Sequence, residues 1–248
     1  MSPPRPHRRR SRPALWFLPL ATLLLLLQMP AHRLGGLIES ACAGQCRLAE
    51  LSGPWWAGQG RLFARTPDGE GWLPLGDAGW RTLPGGGDWL AIAMAGGELV
   101  VDRQFNLRID GLQLPAALVL GQPAWRLPAT GWQGSLELSA ATFRLDGRRP
   151  GESQGRLIWR NAASDLLENH PLGDLQADWH WHPEAGLRAD LAGGRPGEIA
   201  LSGQLQGQSL HLEIGLDGAS RPALERYLKS FADAGAQPGQ YTLAWTVR

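Results

Sequence analysis

The chain has 248 residues, with 24 Lys and Arg against 23 Asp and Glu and a formal net charge of +1. Five of the basic residues, Arg5, Arg8, Arg9, Arg10 and Arg12, precede residue 13 with no acid among them, so the remainder carries a net charge of −4. A body of that size can bury one large core or two small ones, and its mildly acidic balance excludes nucleic acid as an expected partner, which would demand a basic face.

Residues 1–13 read as a cytoplasmic tail. Ala14–Ala31, ALWFLPLATLLLLLQMPA, is uncharged. At 1.5 Å per residue it reaches roughly 27 Å, close to the thickness of a bilayer's hydrocarbon core. Its apolar surface comes from Trp16, Phe17, Leu18, Leu23, Leu24, Leu25, Leu26 and Leu27. Arginines resist translocation, so the tail is expected to stay inside and the rest of the chain to be carried across, as a single-pass anchor predicts. A cleaved signal peptide is the rival reading, because Leu15–Leu27 is short enough for one. Met29-Pro30-Ala31 is a poor cleavage site, since Met is large.

Residues 32–47 read as a juxtamembrane connector. Cys42 and Cys46 stand four apart within it. Outside the cytoplasm they are candidates for a small disulfide loop, with two free thiols as the alternative. Their spacing is not that of a redox C-x-x-C pair, and no further metal ligands stand beside them.

Residues 48–248 read as a β-rich domain. Leu48–Gly60 and Arg61–Ala64 suggest a first strand pair, with Trp55 and Trp56 on opposite faces if extended. Residues 65–88, rich in Gly, Pro and Asp, read as a long surface loop. Trp89–Ala95 and Glu98–Asp102 flank Gly96-Gly97 as a hairpin. Phe105, Leu107 and Ile109 continue the alternation, which slips at Asp110-Gly111 before Leu112 and Leu114. Pro115–Pro128 fits an edge strand or a loop. Further on, Leu136 and Leu138; Phe143 and Leu145; Leu157 and Trp159; Leu175, Ala177, Trp179 and Trp181; Leu187, Ala189 and Leu191; Ile199, Leu201 and Leu205; and Leu210, Leu212, Ile214 and Leu216 alternate with polar residues. That is the pattern of antiparallel strands with one face packed and one wet. A single helix is expected after Ser220, carrying Leu224, Tyr227, Leu228 and Phe231 on one face and stopping at Gly235. Tyr241–Val247 reads as the last strand. The expected fold class is therefore mainly β, an antiparallel sheet with one short C-terminal helix behind a transmembrane helix.

Motifs for chemistry are scarce. The sequence holds no nucleophile elbow, phosphate loop, dinucleotide fingerprint or zinc-protease helix. In Trp179-His180-Trp181-His182 the two histidines share a face of a strand, with His170 and Asp178 as nominal further ligands. The simpler reading turns the tryptophans inward and the histidines to water. The carboxylate pairs Asp68 with Glu70 and Asp174 with Asp178 lie near turns without the marks of an acid–base pair. The 12 tryptophans fit core packing, or else a glycan platform or a rim at a membrane surface. The expectation is a protein that is not an enzyme, with no catalytic residues, no metal and no cofactor.

Three features carry a resemblance to a known family. They are the apolar N-terminal stretch ahead of a β-rich body, the segment Leu51-Ser52-Gly53-Pro54-Trp55-Trp56-Ala57-Gly58, and the ending from Leu201-Ser202-Gly203 to Tyr241-Thr242-Leu243-Ala244-Trp245. In these the chain resembles the type II secretion system protein N family, also called general secretion pathway protein N. Ser52, Gly53, Trp56 and Gly58 match that family's Ser-Gly-x-x-Trp-x-Gly segment; the Pro54-Trp55 insertion, the arginine tail and the cysteine pair depart from it. The resemblance implies an inner-membrane protein of a Gram-negative cell, spanning once with its C-terminal domain in the periplasm. It implies a non-catalytic part in protein export across the outer membrane. The implied partners are the other type II secretion proteins, the inner-membrane platform and, as a further candidate, the secretin. A different class of function is also open: a periplasmic lipid- or glycan-binding protein, whose apolar sheet face would be left uncovered by helix or second sheet.

Overall fold

The computed structural model describes residues 28–83, 85–121, 131–146, 149–165, 171–217, 225, 228–229, 232–235 and 237–246. The anchor side chains Trp16–Leu27, and most of the expected C-terminal helix, lie outside the described residues. Among the described residues no helix is long and apolar enough to cross a membrane.

All the described strands join one antiparallel sheet. They are β1 (Cys46–Ser52), β2 (Ala57–Arg65), β3 (Trp72–Thr82), β4 (Asp88–Met94), β5 (Gly97–Asp102), β6 (Leu107–Asp110), β7 (Leu112–Pro115), β8 (Trp132–Asp146), β9 (Arg149–Ser164), β10 (Pro171–His182), β11 (Gly186–Arg195), β12 (Ile199–Gln206), β13 (Ser209–Leu216), β14 (Asp233–Ala234) and β15 (Gln240–Thr246). Strand order follows chain order except that β7 pairs with β8 off the main path and β15 lies between β13 and β14. The β-rich antiparallel fold expected from the alternation is the fold observed.

One apolar face runs through the register. Leu62 pairs with Gly76, Trp80 with Ile92, Ile92 with Leu99, and Leu99 with Ile109. Ile109 pairs with Ala141 across β6 and β8. Beyond that, Leu157 pairs with Ala177, Ala177 with Leu191, Leu201 with Ile214, and Ile214 with Tyr241. The other face carries the charges, as cross-strand pairs such as Arg156–Asp178 at 2.6 Å, Arg160–Glu137 at 2.8 Å and Arg61–Glu50 at 3.3 Å. Such exposed pairs add little stability but mark the side that water sees.

Bulges keep this face continuous where the sequence loses step. In β3 the inward residues are Leu73 and Leu75, then Ala78 and Trp80. The odd-to-even change occurs at Gly76, whose φ of 104° suits glycine. In β8 the reverse change, even to odd, separates Leu138 from Ala141 at Ala140, φ 48°.

Several expectations are corrected. Residues 65–88 are not one loop: β3 fills Trp72–Thr82. Trp55 and Trp56 form a turn between β1 and β2 instead of strand. Ala116–Leu120 is a helical turn, not strand or loop. The connector is part of the body: Leu34–Ala41 forms helix α1, and Ala116–Leu120 becomes α2. The last residues assigned to the anchor also belong to the body. The Trp55 N–H donates to the Met29 carbonyl at 3.0 Å, and the Ala31 N–H donates to the Gly53 carbonyl at 3.0 Å. At the C-terminus, the N–H groups of Lys229 and Ala232 donate to the carbonyls of Glu225 and Leu228, the described remnant of the expected helix.

Two small cores lie on the apolar face. One joins Leu48, Leu62 and Ala78, with Ile38 of α1 against them; the other joins Ile199, Leu216, Leu228 and Tyr241. Among the described residues no large side chain is fully buried. On the described part of the apolar face Leu75, Trp80, Ile92 and Met94 are half-buried rather than sealed.

Candidate functional site

Among the described residues, the apolar face carries an open trough of about 530 Å³. Its floor comes from β2, β3 and β4, through Leu62, Trp80, Ile92 and Met94. Ile38 of α1 stands on one side and Leu118 of α2 on the other. Strand alternation supplies this lining. Every second residue of β3 and β4 must share the face, and the sequence puts apolar groups at those positions. Apart from Thr82 and the disulfide-bonded Cys46, the side chains of the lining are apolar or aromatic. The volume falls within the range of about 300–1,000 Å³ usual for small-molecule sites.

The tryptophan motif builds one wall of this trough. Trp80 pairs across the ladder with Gly58, on the same face. A Cβ on Gly58 would clash with the Trp80 indole and come within 2.8 Å of the Ser52 carbonyl oxygen. The Trp80 Nε1–H donates to the Trp55 carbonyl at 2.8 Å, which satisfies the ring's one polar atom. Gly53 turns the chain with φ 87°, and a Cβ there would meet the Ala57 carbonyl. Ser52, Gly53, Trp56 and Gly58 thus shape the turn and the seat for Trp80, while Trp56 itself faces outward at 39% exposure. The arrangement recurs where Trp179 pairs with Gly155 and its ring lies 2.9 Å from a Cβ built there.

Cys42 and Cys46 are joined by a disulfide with Cα atoms 5.8 Å apart. It ties the end of α1 to the start of β1, next to the trough.

The other sequence candidates do not come together. Trp179 and Trp181 share the apolar face, and His180 and His182 lie on the polar one. His180 Nε2 sits 2.9 Å from Glu152 Oε1, and His182 Nδ1 accepts from the Glu184 N–H at 3.3 Å. No cluster of three metal-ligating side chains occurs among the described residues, and His170 lies outside them. Asp68 accepts from Thr66, which holds its carboxyl below the usual range. Asp178 is lowered by Arg156 and then Gln176, and Glu152 by His180. A general acid needs the opposite shift. A second hollow, of about 410 Å³, lies between β12, β13 and β15 with a mixed lining in which no group converges on a point.

An open apolar face is among the sequence-based expectations, but the place of the trough is not, because residues 65–88 read as a loop and residues 32–47 as a connector. Its signal was present in the alternation of Ala78, Trp80 and Thr82, hidden by the step at Gly76. Comparison with protein-family models, with curated proteins and with solved structures finds no match to this chain.

Proposed function

We propose that this chain is a non-catalytic envelope protein that holds an acyl chain of a membrane lipid along the apolar face of its sheet. The observation that supports this most directly is the half-buried face: one sheet, apolar on one side over most of its strand order, with a trough that offers an apolar ligand no competing polar partner. Apolar surface left half-covered is costly in water unless something occupies it. The anchor expected from Ala14–Ala31 would keep the body at the periplasmic face of a Gram-negative inner membrane, where such a ligand is abundant.

The test is direct. Full-length protein extracted from membranes in mild detergent should carry lipid when weighed intact by native mass spectrometry. Ile92→Arg, on the trough floor, should lose that lipid, and Gln59→Arg, on the polar face of β2, should keep it. Lipid-free wild-type protein would overturn the reading.

A part in type II secretion, which the resemblance implies, is a second reading. It is favoured by β1, the terminal strand of the sheet, whose outer backbone edge can take a partner's strand. Capture of inner-membrane platform proteins or the secretin that is lost on Leu48→Pro would support it; unchanged capture would count against it.

A further inference from the structure

The two ends of the trough differ. In an antiparallel meander alternate turns fall at the same end. Here the turn at Gly53–Trp56, residues 85–87 leading into β4 and the turn at 103–106 gather at one end. Three of the large apolar side chains most open to water stand there: Trp56 at 39%, Trp89 at 47% and Phe105 at 60% exposure. Trp89 lines the trough as well, and its ring meets Phe105 edge-on at 6.1 Å.

This rim is built. Phe105 has a φ of 64°, a left-handed conformation that is uncommon for a bulky residue. Asp102 holds it there. Its carboxylate accepts from the Gln104 N–H at 2.7 Å, the Asn106 N–H at 2.9 Å and the Asn106 Nδ2 at 2.7 Å. The Arg103 N–H donates to the Gly87 carbonyl at 3.1 Å, which ties one turn to the next.

The chain enters the body at this same end. Met29 and Ala31 are hydrogen-bonded to Trp55 and Gly53, and Pro30 bridges Pro54. The apolar stretch that ends at Leu27 is thus separated from the rim by Gln28 alone. His32 and Arg33, both exposed, follow at once.

We infer that this end of the sheet rests on the surface of the phospholipid bilayer, with Trp56, Trp89 and Phe105 seated among the head groups and the trough opening onto the lipid. Indole rings settle at that depth because one part of the ring is apolar and the N–H is not. His32 and Arg33 complement anionic phosphates. Of the acids nearby, Asp88 is paired with Arg108 at 2.8 Å and Asp102 is committed to its turn. The route of lipid entry rests on the acyl-binding reading above; the seating of the rim does not.

Trp72, 39% exposed at the opposite end, supplies the control. The full chain is reconstituted in vesicles of phosphatidylethanolamine and phosphatidylglycerol with brominated acyl chains, and tryptophan quenching is measured. Substitution of both Trp56→Phe and Trp89→Phe should remove a large share of the quenchable signal, whereas Trp72→Phe should leave it intact. Equal loss from both ends, or no loss from the rim pair, would overturn the inference; so would rim tryptophans shielded by another protein in intact membranes but unquenched in vesicles. Lipid uptake is read separately by native mass spectrometry, where Phe105→Asp should slow loading from vesicles about tenfold. Rim quenching without bound lipid would sink the acyl-binding reading alone, and bound lipid without rim quenching would sink the seating alone.

Discussion

The indole of Trp80 occupies the space that a side chain on Gly58, its partner across the ladder, would need. Gly58→Ala must therefore displace the ring or the Ser52 carbonyl and should destabilise the protein by about 1–3 kcal/mol. Combining it with Trp80→Phe should cost less than the sum of the two changes, because the smaller ring vacates the space. Gly36→Ala is the contrast. It lies within α1 with nothing in reach of its added Cβ and should stabilise by about 0.5–1 kcal/mol. Equilibrium denaturation of the variants checks all three, and a neutral Gly58→Ala would show that the indole is not confined.

The Cys42–Cys46 disulfide closes a small loop, so its removal should cost about 2 kcal/mol through the unfolded chain. The effect should also be local. Cys42→Ser with Cys46→Ser should raise amide exchange across Leu34–Gln45 while the strands from β8 onward stay protected. Exchange rising evenly over the sheet would contradict this.

Phe105 separates stability from surface role. Its left-handed backbone costs on the order of 1–3 kcal/mol, and its ring is mostly in water, so Phe105→Asn should leave stability unchanged within about 1 kcal/mol or raise it. A phenylalanine packed in a core would cost about 3–5 kcal/mol on truncation. Thermal denaturation distinguishes the two.

The carboxylates of Asp178, Glu152 and Asp102 are all held below their ordinary values, by Arg156, His180 and Asn106 respectively. A folded-state value lower than the unfolded one contributes stability that is complete above the unfolded value and is lost as pH falls through the folded one. Unfolded Asp and Glu titrate at about 3.9 and 4.3. Resistance to urea should thus hold from neutral pH to about 5 and then fall. Asp178→Asn with Glu152→Gln should start lower at pH 7 and fall less steeply below pH 5; parallel curves would mean that these pairs contribute nothing.

The later strands were legible because each of β11 to β13 keeps one phase of alternation from end to end, and β10 does so from Leu175 onward. Leu187, Ala189 and Leu191 need no correction to face the same way. The first third was harder for a physical reason. β3 changes phase at Gly76 and carries Pro74 and Asp77, so its composition resembles a loop while backbone pairing on both sides holds it as strand. α1 was hidden by Gly35 and Gly36, poor helix formers, and is held by packing of Ile38 and by the disulfide. At the site, the Ser52–Gly58 segment stood out as tryptophan and turn chemistry. That its glycine seats a tryptophan from a strand read as loop could not be seen, because the pairing partner was not recognised.

The nearly sequential strand order has a consequence for how such a chain can change. Except at β7 and β15, each ladder joins chain neighbours, so excising or duplicating a whole hairpin breaks only the ladders at its borders, whose strands stay antiparallel and can pair again. Each strand added or lost alters the sheet's breadth by about 4.8 Å. Breadth, and with it the apolar area that one face of the sheet presents, is thereby set by the number of hairpins in the chain.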